Sequence, residues 1–506
     1  MIKYLFVALS FFVTCSCISQ DTKIVEIAKQ ASKSSLEKNL YSLASDKMEG
    51  RLMGSRGDSI ASIFIADWFK QHNLKAPFEN GKSYIQPITV YRKKVTEAKL
   101  TITGKTYEEL DGWLFPLNST ESVQLNNIPV VFAGYGITDS RYDDLAAVDV
   151  KGKAVILLTG QPVDTAKKYL LTGTDKPATI GSYEKILKEK GASLVLIYNK
   201  AFQSIAAVLK RNSFPVYKSG AIRPLSLPIF QLSAERINEL LAADNITVAE
   251  LESKISKTSS PQSFVLKNTL SVQLNISIAE EHAPNVIGVI PGTDPSANAV
   301  VISAHHDHNG KHGNDIYYGA VDNASGTSAI MEVAALFQQA SKKGLKPKRN
   351  IVFASYTGEE RGLLGSYYYA EHPVYPLEKT WAVINIDMMG RVDTFYSGKR
   401  ADSNYAYILV KDTLGRGLRN SLLKANESLG SLKLDTWYEQ PQYMQRRLQG
   451  SDQYPLYLKG VPFLRIDCGF SKDYHQLTDT PDKINYDLLT KQTQLAFLTL
   501  WNLANE

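Results

Sequence analysis

Apolar and polar positions along the chain fall into three regimes. Near the start, a helical period predicts helices over 36–44 and 60–71. Ile60, Ile63, Phe64 and Phe69 lie near one face of the second, and the Gly-rich string EGRLMGSRGDS turns the chain between them. From about residue 130 the pattern shortens: VVFAGYG, DVKGKAVILLTG and SLVLIYN read as buried strands, with an amphipathic helix over 183–190. The strand LPIFQL and a Leu-rich helix near Leu240 close this region as a compact domain of mostly β character, and SKISKTSSPQS reads as its exit linker. From residue 284 onward, near-continuous apolar runs at NVIGVIPG, AVVISAHH, NIVFASYTG, WAVINID and VPFLRID alternate with longer helical segments. That pattern predicts a mostly parallel sheet covered on both faces. The expected fold is therefore α/β, a three-layer sandwich around a mostly parallel central sheet, with a β-rich second domain.

The first residues follow another rule. Lys3, the apolar run Tyr4 to Val13 and the small residues Thr14 to Cys17 read as a signal segment over 1–17, too short to span a bilayer as a helix. Export to the periplasm or the cell surface follows, and two processing outcomes stay open: plain cleavage, or acylation of Cys17 as a lipid anchor, for which Ser16 is suited and Thr14 is not. Only Cys468 lies in the body of the chain, so an internal disulfide framework is excluded and this thiol reads as a small buried apolar residue. With 506 residues, 44% of them hydrophobic, the chain can bury a large core and exceeds one ordinary domain. Its net charge of +6 is spread without a basic stripe, which excludes nucleic acid as the natural partner.

The chemistry sits in five motifs. His305 and Asp307 in AHHD are two apart at a strand end, so both project to one face and His306 to the other. His305 can bind a metal while Asp307 supports its ring. Asp322 in GAVDNASG lies at a glycine-flanked junction into a helix that Asn323 or Ser325 can cap, and its two oxygens can approach two ions. Glu359 and Glu360 in TGEERGLLGS cannot easily point at one spot, so one can bind a metal and the other reach a water. Asp387 ends the apolar run AVINI, where a carboxylate requires compensation, and His475 lies in the loop DYHQLTDTPDKI. His306, His308 and His312 read as a local surface cluster or gate. Two imidazoles and three carboxylates suit a pair of zinc-like ions, with one carboxylate left to handle protons, and that combination points to hydrolysis.

These strings, together with SDQ at 451–453, resemble the co-catalytic zinc aminopeptidase family, which also contains glutamate carboxypeptidases and glutaminyl cyclases. The resemblance implies two zinc ions, one held by His305 and Asp387, the other by Glu360 and His475, with Asp322 bridging both. It also implies Glu359 as the general base, Asp307 as support for His305, and peptides as substrates. It further implies domain limits: the first part of the peptidase domain over 21–119, an inserted protease-associated domain over 120–262, most specific in AGYGITDSRYDDLAAVDVKGKAVIL, and the main zinc peptidase domain over 263–506. Within the family, DNASG favours an aminopeptidase. The rivals are a carboxypeptidase, for which Arg361 and Arg391 lie nearest the motifs, a single-zinc glutaminyl cyclase, and a non-enzymatic binding protein, which is expected to lose ligands that here are all present. The insert could restrict access, act as a lid, or support a homodimer.

Overall fold

The computed structural model describes residues 22–115, 121–166, 168–169, 180–209, 216–218, 227–294, 296–394, 403–430 and 432–506. The expected signal segment and both of its cysteines lie outside them. The chain divides into two compact units, Met1–Thr89 with His282–Glu506, and Val90–Glu281.

In the first unit the five expected strands form one sheet with two that the apolar pattern does not mark, Tyr405–Lys411 and Lys433–Asp435. They are the end of β1 (Phe264–Ile290), then β2 (Ala299–His305), β3 (Ile351–Tyr356), β4 (Thr380–Ile386), β5 (Tyr405–Lys411), β6 (Lys433–Asp435) and β7 (Phe463–Asp467). Their order is β6-β5-β7-β4-β2-β3-β1. β3, β2, β4 and β7 run parallel, while β5 against β7 and β1 against β3 are antiparallel. β2 is buried at every position, as a strand covered on both faces must be. Its Val300, Ile302 and Ala304 pack with helices α1 (Lys33–Leu43), α2 (Arg56–Gln71) and α3 (Ser325–Lys342), among others, through Leu40, Phe69 and Phe337. Its Ala299 and Val301 face the opposite cluster, with Tyr369 of α4 (Leu364–Glu371) and Leu456 of α7 (Gln453–Leu458). Between these lie α5 (Leu418–Leu429) and α6 (Pro441–Gln449); α8 (Tyr486–Asn505) closes the chain with Phe497 and Trp501 against Phe337. This is the three-layer α/β sandwich with a mostly parallel sheet.

Helix starts differ from the apolar pattern for a local reason. Ser32 accepts a hydrogen bond from Ser35 N, and Ser55 from Asp58 N, so α1 and α2 begin three to four residues before their first apolar positions. The second unit is likewise mostly strand, with Val123–Phe132, Ala154–Leu157, Leu194–Tyr198 and Ile229–Leu232 in successive parallel pairing. The expected exit linker is not one. Residues 253–258 form the second half of a helix, Val248–Thr258, started by a Thr247–Glu250 capping box and ended by left-handed Ser259. Val248, Leu251 and Ile255 are buried along one face of that helix, a periodicity masked by the Ser- and Lys-rich composition of the exposed one.

Candidate metal centre

The open end of the parallel sheet gathers the five motifs. β2 ends at His305, β3 leads through Thr357 and Gly358 to Glu359, β4 ends one residue before Asp387, and the segment after β7 carries His475. In an open α/β sheet this carboxyl edge is where ligands bind. Two turns bring the carboxylates inward. Gly358 has φ +73°, and a Cβ there would lie 2.4 Å from Met53 Sδ. Gly319 has φ +55°, and a Cβ there would lie 2.3 Å from Asp322 O and 2.5 Å from His308 Cγ, so only glycine fits before the Asp322 loop. Asn323, joined to Asp322 by a cis peptide bond, accepts from Gly326 N at 2.9 Å and so caps α3. Ser325 instead donates to Val321 O.

Two donor sets meet at Asp322. His305 Nε2 lies 3.3 Å from Asp322 Oδ1 and 3.4 Å from Asp387 Oδ1. His475 Nε2 lies 3.0 Å from Asp322 Oδ2 and 3.1 Å from Glu360 Oε2. These separations match the edge of a tetrahedron, about 3.3 Å for bonds of about 2.0 Å to a central zinc. His308, expected at the surface, is fully buried and joins the second set, with Nδ1 2.7 Å from Glu360 Oε1. His306 is buried too, between Ser355 Oγ and Asp58 Oδ1 on the far side of the strand, as alternation requires.

His305 Nε2 is within hydrogen-bonding distance of Asp387 Oδ1, but in the second set the donor atoms converge without bonding one another. His475 Nε2, both nitrogens of His308 and Glu360 Oε1 are buried and find no hydrogen-bond partner, although their neighbours are close. Lone pairs aimed at a common point rather than at each other are what a cation requires. Electrostatics agrees. Burial alone would lower His475, yet Glu360 and Asp322 raise it to about 11. His305 rises well above its ordinary value in the same way, against burial, through Glu359, Asp307, Asp322 and Asp387. Burial and Asp322 push Glu360 up, but His475 and His308 outweigh them and hold it at about 2. Protons on two imidazoles thus balance the carboxylates, and a pair of dications can replace them. The residues fit metal.

Glu359 stands apart from both sets. Burial first, and then the charges of Asp387 and Glu360 against that of His305, push its carboxyl well above the usual range. The Asp307 carboxylate accepts from Glu359 N at 3.1 Å, and the Asp307 backbone carbonyl lies 3.2 Å from His305 Nδ1 with Oδ1 at 3.6 Å, so the residue orders both. Asp387 has its compensation in Arg465, whose Nη2 donates to Oδ2 at 3.0 Å and leaves Oδ1 to face His305.

Several supports lie inside the same strings, beside the residues expected to act: Asp479 in DYHQLTDTPDKI, Arg51 in EGRLMGSRGDS and Asp452 in SDQ. Asp479 accepts from Val321 N and Asp322 N and so holds the bridging loop. Arg51, fully buried, donates to the carbonyls of Leu43, His306, Tyr318 and Gly319 and ties the early turn to the site. Asp452 accepts from Ser366, and burial raises it to about 7. A cavity of about 110 Å³ opens on the centre, lined by Asp322, Glu359 and Asp387 together with Arg446, Arg447 and Arg465. These arginines, rather than Arg361 or Arg391, line it; Arg391 pairs with Asp473.

Comparison with known proteins locates the same segment. Residues 285–500 match the model of peptidase family M28. The putative zinc metalloprotease TRE2 of Saccharomyces cerevisiae is 25% identical over 371 residues, 67% of this chain and 41% of that one. Aminopeptidase NAALADL1 of Mus musculus is 33% identical over 128 residues, 25% of this chain and 16% of that one. The chain thus spans less than half the length of these curated relatives. Among solved structures, an aminopeptidase from Aneurinibacillus sp. strain AM-1 shares the fold, with TM-score 0.58 and 17% identity over 95% of this chain and 96% of that one. Residues 285–500, which carry every donor of both sets, are therefore the part of the chain that matches peptidase family M28.

Proposed function

We propose that this chain is an exported zinc-dependent aminopeptidase that binds two zinc ions and removes N-terminal residues from peptides. The observation that carries this reading is the division of Asp322, one oxygen toward His305 and Asp387, the other toward Glu360 and His475, with Glu359 beside them. When bound, such ions acidify a shared water and polarise the scissile carbonyl. His305 and Asp387 would hold one ion, Glu360 and His475 the other, with Asp322 between. Glu359 takes the proton of the attacking water on its carboxylate and passes it to the departing amine nitrogen. Its raised pKa suits it to both halves of that transfer. Asp307 fixes the His305 ring and the Glu359 backbone, and Arg465 keeps Asp387 turned toward His305.

The match to family M28 and the name of the yeast relative support a zinc peptidase, and the name of the mouse relative and the DNASG form of the bridging motif support the aminopeptidase reading. The run Tyr4 to Val13 supports export. The test is a panel of peptides with free and blocked ends, assayed before and after chelation. Release of the N-terminal residue, abolished by chelator and restored by zinc, is expected. Cleavage from the carboxyl end alone would make the chain a carboxypeptidase, and cyclisation of N-terminal glutamine without hydrolysis would make it a cyclase.

A further inference from the structure

The lining of the metal cavity is cationic in an uneven way. Arg465 is paired with Asp387 and Asp467, and Arg447 donates to Asp467 at 2.5 Å while its guanidinium lies 4.3 Å from the Tyr438 ring. One carboxylate, Asp467, thus serves both buried arginines. Arg446, the neighbour on α6, is exposed, and no carboxylate pairs with it among the described residues. It nevertheless lines the metal cavity and a second, largely apolar cavity of about 250 Å³ formed with Tyr438, Tyr443, Arg447, Phe470 and Tyr474. Four residues, Arg446, Arg447, Phe470 and Tyr474, border both spaces, so the two adjoin.

We propose that Arg446 is a specificity-determining residue that takes a carboxylate of the substrate, so that the site favours peptides with a negative charge close to the scissile bond. The inference rests on the peptidase reading of the metal centre. Asp322, Glu359 and Arg446 line one and the same cavity, so a substrate group held at Asp322 and Glu359 shares that space with the Arg446 side chain. A guanidinium fork matches a carboxylate in two parallel hydrogen bonds, and the surrounding aromatic rings keep water from competing on one side. The aromatic cavity then takes the apolar part of the same substrate. Two sources supply such a carboxylate, an acidic side chain on the residue being released, or the terminal carboxylate of a short peptide.

Three probes separate these sources: glutamyl-alaninamide carries only the side-chain charge, glutaminyl-alanine only the terminal one, and glutaminyl-alaninamide neither. Turnover is measured with zinc-loaded wild type, Arg446→Gln and Arg446→Lys, and binding by calorimetry to the same three variants made on a Glu359→Gln background. At least one charged probe should exceed the neutral one by on the order of tenfold in kcat/KM and in affinity. Arg446→Gln should bring that ratio close to one, by a loss on the charged probe that exceeds any loss on the neutral one, and Arg446→Lys should keep part of it. A wild-type preference for the neutral amide, or an equal loss for all probes in Arg446→Gln, would overturn the proposal. Absence of turnover with every probe would count against the aminopeptidase reading, while the binding ratios would still decide the role of Arg446.

Discussion

Replacing Glu359 with Gln should leave both zinc ions bound and reduce turnover by about a hundred- to ten-thousand-fold, on the order of 3–5 kcal/mol of barrier. The substitution keeps size and hydrogen bonding but removes the group that accepts a proton. Metal content should not change, because no atom of Glu359 belongs to either donor set. The backbone contact from Glu359 N to Asp307 survives as well, so the His305 support stays in place. Zinc analysis beside steady-state kinetics checks the point. A fully metallated Gln variant with wild-type turnover would remove Glu359 from the chemistry.

Asp322→Asn carries the other large effect, and it should act on metal first. The amide presents one oxygen and one NH2 group where two oxygens now face His305 and His475 at 3.3 and 3.0 Å. An NH2 group cannot serve as a ligand, so one set loses a donor and the negative charge shared by both is gone. At least one zinc should be lost on dialysis, and activity should fall with it. The Asp479 carboxylate still holds the backbone of the loop, so the fold should persist, as circular dichroism would show. Two zincs retained per chain would count against the bridge.

The frame of this site was legible because burial on both faces writes an unbroken apolar run, and β2, β3 and β4 each end where such a run meets a donor. Strand alternation also placed His305 and His306 on opposite sides. It failed at His308, which lies three residues past the end of β2, where the chain no longer alternates and nothing in AHHDH marks the turn inward. Arg51 and Asp58 were hidden for a different reason. Their strand-end partners lie about 250 to 300 residues away in sequence, so the Gly-rich turn and the first turn of α2 also brace the strand ends. Arg446 and Arg447 of the cavity wall belong to α6, an outwardly polar helix whose sequence carries no motif, and only the folded arrangement brings Arg446 into the cavity of the metal donors. The helix over Val248–Thr258 keeps its apolar period at Val248, Leu251 and Ile255 beneath a Ser- and Lys-rich composition that reads as a linker.

The most direct test of the account is anomalous diffraction at the zinc absorption edge from crystals of the zinc-loaded protein. Two peaks about 3.5–4 Å apart are expected, one on each side of the Asp322 carboxylate. One should lie within bonding distance of His305 and Asp387, the other of Glu360 and His475. A single peak, or density away from Asp322, would contradict the shared centre.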